Sequence, residues 1–453
     1  MSGIAERLAA LAEQTLEGRP LPLRIRAWDG SEAGPEGAPV VVLTGRQSLR
    51  RLLWKPGHLG LARAWVAGDL DLEGDLYEAL DRLGHLLWHR DDQAGRRRRQ
   101  SLPAALRALS ALARPRQLRA GAQLLALAGP AGPPKPPPEE TPTRRGPLHT
   151  LRRDSEAISH HYDVGNDFYS LVLGPSMVYS CAYWEDEAGT LEDAQRAKLD
   201  LICRKLQLRP GRRLLDVGCG WGSLVLHAVE EYGVRAVGIT ISEEQAGLAR
   251  KRLAEAGLTD RAEIRVQDYR EVTDGPYDAI SSVGMAEHVG ATRFRAYGEQ
   301  LYGLLRPGGR LLNHQISRRP TTDAGRYRTD EFIDRYVFPD GELETIGSTV
   351  GLLERSGFEV RDVESIREHY ALTLRAWVTN LQRHRAALDA FTTPGRVRVW
   401  HLYMAASALA FERNRIGVNQ VLAVRTTDGG DSGMPRTRAR WLGLPPHRAR
   451  PAH

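Results

Sequence analysis

Cysteine is scarce in this 453-residue sequence, which contains only Cys181, Cys203 and Cys219. Their long and unequal spacings exclude a disulfide framework and a paired-cysteine metal motif, so we expect a reducing compartment and no bound metal. The sequence also lacks any run of about 18 apolar residues, and no membrane-spanning helix is predicted. The N-terminus has a helical pattern of polar and apolar residues that differs from a signal peptide. These absences predict a cytoplasmic protein.

Acidic residues are absent from positions 93 to 138, where the basic residues are Arg96, Arg97, Arg98, Arg99, Arg107, Arg114, Arg116, Arg119 and Lys135. Leucines at helical spacing accompany them, so the segment predicts two basic amphipathic helices separated at Pro115. Either these helices bind an anionic membrane surface, or they pack on the N-terminal domain with solvated arginines. Nucleic acid is not favoured as a partner, because the net charge of +7 is modest and no aromatic residues lie between the basic ones.

Proline and glycine are concentrated in residues 129–147, which predicts an extended linker. Residues 1–128 then form a smaller N-terminal α/β domain that carries the basic helices. Residues 148–425 form a larger α/β domain. The tail, 426–453, is rich in Gly, Pro and Arg with few apolar residues, and we expect it to be disordered.

A glycine-rich turn follows an apolar segment of the larger domain, where residues 214–222 read LLDVGCGWG. The segment that ends in Asp216 and Val217 is typical of a buried strand. Gly218, Gly220 and Gly222 leave no side chains where a ligand would lie against the backbone. The pattern predicts a nucleotide-type pocket, although the bare motif also matches dinucleotide folds and ligand-free turns.

Two further apolar segments end in polar residues. Thr240 and a helix start that includes Gln245 follow residues 235–239, and Asp268 and Tyr269 come shortly after residues 262–266. A carboxylate at Asp268 can accept a hydrogen bond from a purine amino group, and Tyr269 can stack on the ring. A P-loop is not predicted, because no Lys-Ser or Lys-Thr pair closes the glycine motif.

Three motifs before and after these segments indicate one protein family. They read HYDVGNDFY at 161–169, MVYSCAYW at 177–184 and GMAEHVG at 284–290. Together with the glycine turn, they resemble the cyclopropane fatty-acid synthases and their mycolic-acid-modifying relatives, which are class I S-adenosylmethionine-dependent methyltransferases. The resemblance implies a Rossmann-like methyltransferase domain of the α/β class, preceded by a smaller domain that helps to handle lipid.

The resemblance also implies that S-adenosylmethionine binds along the strand ends. It assigns the cofactor to Tyr179, Ser180, Asp216, Gly218, Gly220, Thr240, Gln245, Asp268 and Tyr269. Such folds commonly place an acid after the second strand to bind the ribose hydroxyls, whereas this chain has Thr240. Within the resemblance, Thr240 and Gln245 make that contact, and Tyr179 and Ser180 close over the methionine end.

Methylation of an isolated double bond produces a carbocation that has to be shielded from water and then deprotonated. In the resembled family a bound bicarbonate ion is the base. The resemblance assigns its ligands to Cys181, Glu287, His314, the backbone of Ile316, and Tyr370. The predicted reaction is methyl transfer to an unsaturated fatty acyl chain of a membrane phospholipid, by a protein peripheral to the inner face of the cell membrane.

Two products are compatible with these motifs. Loss of a proton from the new methyl group with ring closure gives a cyclopropane, whereas a prior hydride shift gives a methylene branch that a separate reductase could convert to a methyl branch. Asn313 and Gln315 depart from the family pattern around His314 and favour the branch, as does Glu156 ahead of the first motif. For Glu156, a solvated helix carboxylate is the other interpretation. The sequence leaves the acyl chain, the headgroup and a homo-oligomeric state undetermined.

Two other functions match parts of the pattern. Cys181, His314 and Glu287 could form a thiolate triad, but no helix N-terminus follows Cys181 to lower its pKa. The second alternative is a non-catalytic lipid-binding scaffold with a methyltransferase fold, against which the intact glycines, Glu287 and His314 argue. Binding of S-adenosylmethionine would distinguish a methyltransferase from both of these alternatives.

Overall fold

The computed structural model divides into two compact units. The residues that it describes are 3–15, 20–84, 115–142, 150, 153, 164–320 and 329–441. The first unit comprises Met1–Pro142 and Thr393–Leu409, and the second comprises Thr143–Thr392 and Ala410–His453. Within the described ranges, every helix is too short or too polar to span a lipid bilayer.

The first unit contains a four-stranded sheet with the order β2-β1-β3-β4. Its strands are β1 Arg24–Arg26, β2 Glu32–Ala33, β3 Val40–Leu43 and β4 Leu70–Glu73. Only the pair of β1 and β3 is parallel among them. The helices are Ile4–Thr15, Arg46–Trp54, His58–Val66, 76–84 and Pro115–Ala128. Apolar side chains from these helices cluster with Leu43 of β3, so the unit has its own small core.

The proline-rich segment belongs to the first unit as far as Pro142. Glu140 forms an ion pair with Arg63 at 2.6 Å, and Glu139 accepts a hydrogen bond from Thr393 at 2.7 Å. Thr393 begins the stretch 393–409, which joins this unit from late in the sequence and which no sequence pattern indicated. The domain limits 1–128, 129–147, 148–425 and 426–453 and the lipid-handling role of the first domain stay predictions.

Several predicted features fall outside the described residues. These are the basic stretch from Arg96 to Arg114, residues 143–149, Glu156, the start of the first motif at 161–163, and the end of the tail at 442–453. The described part of the tail includes a short helix, Arg438–Trp441. Arg310 donates a hydrogen bond to the carbonyl of Gly433 at 3.0 Å.

The second unit contains a seven-stranded sheet with the order β10-β11-β9-β8-β5-β6-β7. Its strands are β5 Arg213–Val217, β6 Arg235–Thr240, β7 Ala262–Val266, β8 Tyr277–Val283, β9 Leu305–Arg318, β10 Glu359–Ser365 and β11 Ile416–Val424. The five strands from β7 to β9 are parallel, and β11 pairs antiparallel with both β9 and β10. The last strand in sequence thus lies inside the sheet.

Helices cover both faces of this sheet. They are Asn166–Leu173, Leu191–Lys205, Ser223–Tyr232, Glu243–Glu255, Ala286–Val289, Phe294–Leu304, Glu331–Tyr336, Ile346–Arg355, Arg367–Arg383, Arg385–Leu388 and the end of Pro394–Glu412. Successive strand residues point to opposite faces, so Leu214 of β5 packs in one apolar cluster and Leu215 in another. Burial on both faces explains why β5 lacks an alternating hydrophobic pattern.

The strand order reverses at β5, because β6 follows on one side and β8 lies on the other. Ligands of open α/β sheets bind at such a switch point, outside the carboxyl ends of the strands. Gly218, Gly220 and Gly222 leave β5 there with φ values of 76°, 54° and 79°, in the left-handed region that favours glycine. Gly222 then precedes the helix Ser223–Tyr232.

Candidate functional site

A cleft opens at the carboxyl ends of β5 and β6. Its lining includes six of the residues that the sequence assigned to a cofactor, which are Gly218, Gly220, Thr240, Gln245, Asp268 and Tyr269. They come from three successive strand ends. Parallel pairing of β5, β6 and β7 brings these ends to one edge of the sheet and explains how they share one cleft.

The two glycines of the cleft, Gly218 and Gly220, differ in the space that a side chain would meet. A Cβ atom at Gly218 would lie 2.4 Å from Sδ of Met285, so a side chain there would displace Met285 and would also be strained at a φ of 76°. A Cβ atom at Gly220 would have no atom within 4 Å. A side chain at Gly220 would therefore project into open space in the cleft, where a ligand can approach the backbone.

Thr240 and Gln245 form a pair at the end of β6. The Thr240 hydroxyl donates to Oε1 of Gln245 at 2.8 Å and accepts from the backbone N–H of Ser242 at 3.2 Å. The Ser242 side chain caps the helix Glu243–Glu255 by accepting from the N–H of Gln245 at 3.3 Å. The bond to Thr240 fixes the orientation of the Gln245 amide.

Asp268 caps a short 3₁₀ turn, Tyr269–Glu271, and its carboxylate is held by the next arginine. Arg270 Nε and Nη2 each lie 2.7 Å from an Asp268 oxygen. Tyr269 packs edge-on against Tyr297, with ring centroids 4.7 Å apart. Arg270 also lines the cleft, and sequence reasoning missed it, although a positive charge two residues from the predicted acid was a visible signal.

Asp216 lies in the interior of the sheet and is not part of the cleft lining described above. It is 2% exposed and accepts a hydrogen bond from the Ser281 hydroxyl at 2.7 Å. Burial raises its pKa to about 6, which the Ser281 bond and the charge of Lys198 oppose. Asp216 therefore supports the start of the glycine turn from inside the sheet.

Lys198 connects the motif at 177–184 with this interior. Its ammonium group donates to the Ser180 hydroxyl at 3.0 Å, and the residue is 2% exposed. Burial lowers the pKa of Lys198 to about 8, while the charge of Asp216 opposes that shift. Sequence reasoning missed Lys198, although its spacing from Ile202 places it on the buried face of the helix Leu191–Lys205.

A second group of predicted residues lies around β9. The side chain of Glu287 reaches this strand, since its Oε1 accepts the backbone N–H of Ile316 at 2.7 Å. The other oxygen, Oε2, is buried and has no hydrogen-bond partner among the described residues. Burial raises the pKa of Glu287 to about 7, and the bond from Ile316 opposes the shift.

His314 lies two residues before Ile316 on the same strand and therefore on the same face of the sheet. It is 2% exposed, and burial lowers its pKa well below the ordinary value. Its Nδ1 lies 3.3 Å from Nε2 of Gln420. Its Nε2 is buried without a partner in the described part of the chain.

Tyr370 lies on the helix Arg367–Arg383, and Cys181 lies next to the start of this helix. The Cys181 thiol lies 3.6 Å from the carbonyl of Ile366, next to this helix, and 3.2 Å from that of Ala182. Tyr370 is 7% exposed and packs against Phe411 with ring centroids 4.7 Å apart. These contacts place Cys181 at the start of this helix, whereas Glu287 is bonded to β9.

The geometry excludes the thiolate triad. Burial raises the pKa of the Cys181 thiol well above its ordinary value. Its hydrogen bonds go to backbone carbonyls, and no bond joins it to His314 or Glu287 among the described residues. A thiol in such surroundings is a poor nucleophile.

Asn313 and Gln315 do not face the same way as His314. Asn313 Nδ2 donates to Gln315 Oε1 at 2.7 Å, and Gln315 Nε2 donates to Thr349 Oγ1 at 2.8 Å. Strand alternation places this polar ladder on the opposite face of β9 from His314 and Ile316. The departure from the family pattern at these two positions therefore gives no support to a branched product.

Comparison with known proteins decides the family. The family described as mycolic acid cyclopropane synthetase matches residues 149–421. The chain belongs to this family. It is 42% identical over 427 residues to a probable fatty acid methyltransferase of Mycobacterium tuberculosis, covering 91% of this chain and 93% of that protein.

Two further relatives match part of the chain. A cyclopropane-fatty-acyl-phospholipid synthase of Escherichia coli K12 is 38% identical over 62% of this chain and 71% of its own length. The crystal structure of the mycolic acid cyclopropane synthase CmaA1, complexed with SAH and CTAB, is 34% identical and covers 59% of this chain and 97% of that one, with a TM-score of 0.56. The predicted family, class I methyltransferase fold and S-adenosylmethionine-dependent enzyme class are confirmed.

The first prediction concerns the buried carboxyl of Glu287. Its pKa is raised from 4.5 to about 7 in the folded protein, so its neutral form stabilises the fold at low pH. This contribution is complete below the unfolded value and is lost as the pH rises through the folded value. Glu287→Gln keeps an acceptor for Ile316 but carries no charge. We therefore expect the variant to become progressively more stable than the wild type from about pH 5 to about pH 8, by a few kcal/mol.

Urea denaturation across this pH range measures the difference. Glu255→Gln is the matched control, because it removes a carboxylate that is 63% exposed. Its difference from the wild type should stay constant with pH. Parallel curves for Glu287→Gln and the wild type would contradict the burial of the Glu287 carboxyl.

Proposed function

We propose that this chain transfers a methyl group from S-adenosylmethionine to the double bond of an unsaturated fatty acyl chain of a membrane phospholipid, giving a cyclopropane or a methylene-branched chain. The observation that carries the proposal is a pair of buried polar atoms, Glu287 Oε2 and His314 Nε2, for which the described residues provide no hydrogen-bond partner. They lie beside a glycine cleft of the methyltransferase type, since Met285 and His288 on either side of Glu287 line that cleft.

S-adenosylmethionine supplies the methyl group when it is bound. The open space beside Gly220 accommodates its chain, and the Gln245 amide, oriented by Thr240, faces the ribose hydroxyls. Asp268 and Tyr269 bind the adenine by a hydrogen bond and by stacking. Lys198 holds the Ser180 hydroxyl, so that Ser180 and its neighbour Tyr179 are positioned at the methionine end.

We infer that Glu287, His314, Cys181 and Tyr370 form a second, polar pocket. This pocket would hold a bicarbonate ion, which supplies a proton acceptor when it is bound. An ion of this kind both donates and accepts hydrogen bonds. Neutral His314 offers a donor or an acceptor at Nε2, and Glu287, with a pKa of about 7, exists in both protonation states near neutral pH. Cys181 and Tyr370 add a thiol and a phenol as further donors.

Aromatic side chains surround the place where positive charge would develop on the acyl chain. Tyr179 packs against Trp377 with ring centroids 5.4 Å apart, and Tyr370 meets the same indole edge-on at 6.0 Å. Trp377 is fully buried. Aromatic faces stabilise a cation, and their bulk excludes the water that would quench it.

We also propose that the first unit approaches the membrane surface. Two apolar side chains of its helices, Trp54 and Leu125, are 53% and 55% exposed. Exposed tryptophan and leucine can insert into the headgroup region, and the basic segment from 93 to 138 adds attraction to anionic lipid. Peripheral binding to the inner face of the cell membrane would then give the second unit access to acyl chains.

The second prediction tests the cofactor cleft. Gly220→Val places a branched side chain at a φ of 54°, in the space that the cofactor would occupy. We expect the Kd for S-adenosylmethionine, measured by calorimetry, to rise about tenfold or more. Gly211→Val is the matched control, because Gly211 has a φ of 82°, equally open surroundings and no place in the cleft lining. Equal affinity in Gly220→Val and Gly211→Val would contradict the assignment.

The third prediction tests the base. Turnover should fall in buffer depleted of bicarbonate and recover when bicarbonate, but not chloride, is added. Glu287→Gln should lower kcat by about a hundredfold or more, which is the usual contribution of proton transfer, and leave the Kd for S-adenosylmethionine within about twofold. Unchanged turnover in either experiment would exclude this role for the pocket.

The fourth prediction tests the reaction itself. Incubation of the protein with S-adenosylmethionine and vesicles of a phospholipid with cis-unsaturated chains should add the mass of one CH₂ to its fatty esters. Vesicles of the saturated lipid are the control. High-field cyclopropane protons or vinylidene signals in the proton NMR spectrum then identify the ring or the branch. Tight cofactor binding without any gain of mass would contradict the proposed acyl substrate.

A further inference from the structure

Gln420 of β11 lies directly opposite His314 of the neighbouring strand β9. The antiparallel register of β9 and β11 pairs these residues directly, although 106 positions separate them in the sequence. Both are buried, with exposures of 0% for Gln420 and 2% for His314. The Gln420 amide nitrogen lies 3.3 Å from Nδ1 of the imidazole. A buried amide and a buried imidazole at this distance share one hydrogen bond, whose direction depends on the orientation of the amide.

Lys205 sets that orientation from the other side. Its ammonium nitrogen lies 2.8 Å from Gln420 Oε1, and the lysine is 1% exposed. An ammonium group only donates hydrogen bonds, so the amide atom that faces it has to be the oxygen. The NH₂ group of Gln420 therefore faces His314, and a flipped amide would place two sets of donors against each other.

The direction of this bond decides the tautomer of His314. Because the amide NH₂ donates, Nδ1 has to accept, and the proton of the neutral imidazole lies on Nε2. Nε2 is the buried atom without a partner in the described residues. The ring thus presents an N–H donor, and not a lone pair, to the pocket that it shares with Glu287.

Acidic side chains keep Lys205 in place. Glu364 of β10 accepts a hydrogen bond from its ammonium group, and Asp362 lies 4.0 Å away. Burial lowers the pKa of Lys205, and the charge of Glu364 opposes that shift. The lysine that orients Gln420 is therefore itself tied to β10.

We propose that Lys205 and Gln420 are positioning residues that fix His314 as an Nε2–H donor and thereby make the pocket selective for an anion. The proposal rests on the proposed function, since the anion is the bicarbonate ion assigned to that pocket. Neither residue touches the ion. Lys205 acts on Gln420, Gln420 acts on His314, and His314 donates to an anion oxygen.

Bicarbonate titration of methyl transfer provides the main test. Gln420→Leu removes the donor that fixes the tautomer, so His314 can carry its proton on either nitrogen. We expect the bicarbonate concentration for half-maximal activity to rise about tenfold, the size of one lost hydrogen bond to a charged group, while the Kd for S-adenosylmethionine stays the same. Asn419→Leu is the matched control, because this neighbouring buried amide donates to Ser317 at 2.7 Å and makes no bond to His314.

A double-mutant cycle tests the order of action. Lys205→Met should also raise the half-saturating bicarbonate concentration, because the Gln420 amide can then flip. Lys205→Met combined with Gln420→Leu should be no worse than Gln420→Leu alone, since the lysine acts through the glutamine. Additive effects on the bicarbonate titration would overturn this sequence of contacts. Losses of thermal stability alone, with unchanged titrations, would reduce both residues to a structural role.

The ring nitrogens give a direct readout. In protein with ¹⁵N-labelled histidine, the His314 signals are identified by their loss in His314→Gln. The wild type should show a protonated Nε2 and an unprotonated Nδ1, and Gln420→Leu should shift both signals towards their average. A protonated Nδ1 in the wild type would overturn the proposal.

These results distinguish a failure of the proposed function from a failure of the positioning role of Lys205 and Gln420. If wild-type turnover does not depend on bicarbonate, the proposed function loses its base, whatever the tautomer of His314. If wild-type turnover depends on bicarbonate but Gln420→Leu titrates like Asn419→Leu, only the positioning role is wrong.

Discussion

Burial of ionisable groups away from water is the constraint on which this site depends. Asp216, Lys198, Glu287 and His314 are all held in the interior of the second unit, and in each case burial shifts the pKa towards the neutral form. A charge in such surroundings is costly unless a partner compensates it. The site consequently contains a neutral imidazole, a carboxyl that is partly protonated near pH 7, and a thiol whose raised pKa keeps it protonated.

This constraint explains why a base from outside the chain suits the proposed chemistry. A carbocation needs dry and aromatic surroundings, but the same dryness weakens every basic side chain that could deprotonate it. His314 has a strongly lowered pKa, and Cys181 is bonded to carbonyl oxygens. Under the proposed function, a small anion would solve the conflict, because it brings its own charge. The atoms of His314 and Glu287 that have no partner among the described residues would then be available to bind it.

Local motifs made the cofactor cleft predictable, whereas the supporting contacts depend on tertiary structure. The glycine turn, Thr240 with Gln245, and Asp268 with Tyr269 each lie within a few residues of a strand end. The sequence could therefore indicate that they share one edge of the sheet, and the family resemblance assigned the cofactor to them. Trp377 and Gln420 are ordinary residues in their own segments and acquire a role only through partners far away in the sequence. Lys198 acquires its role through Ser180, which is 18 positions away. The stretch 393–409 joins the first unit for the same reason, since its contacts with residues such as Trp65 span more than 300 positions.

The position of β11 explains why the side chains on the two faces of β9 have different contacts. Because this last strand is inserted between β9 and β10, it supplies Gln420 to the face that carries His314 and lets β10 contribute Glu364 to the same contacts. On the other face, Asn313 and Gln315 are bonded to each other and to Thr349. A shift of one residue in the register of β9 would exchange these two sets, so that an amide would take the place of His314 on the face of Gln420. The antiparallel pairing with β11 therefore determines which side chain of β9 faces Gln420.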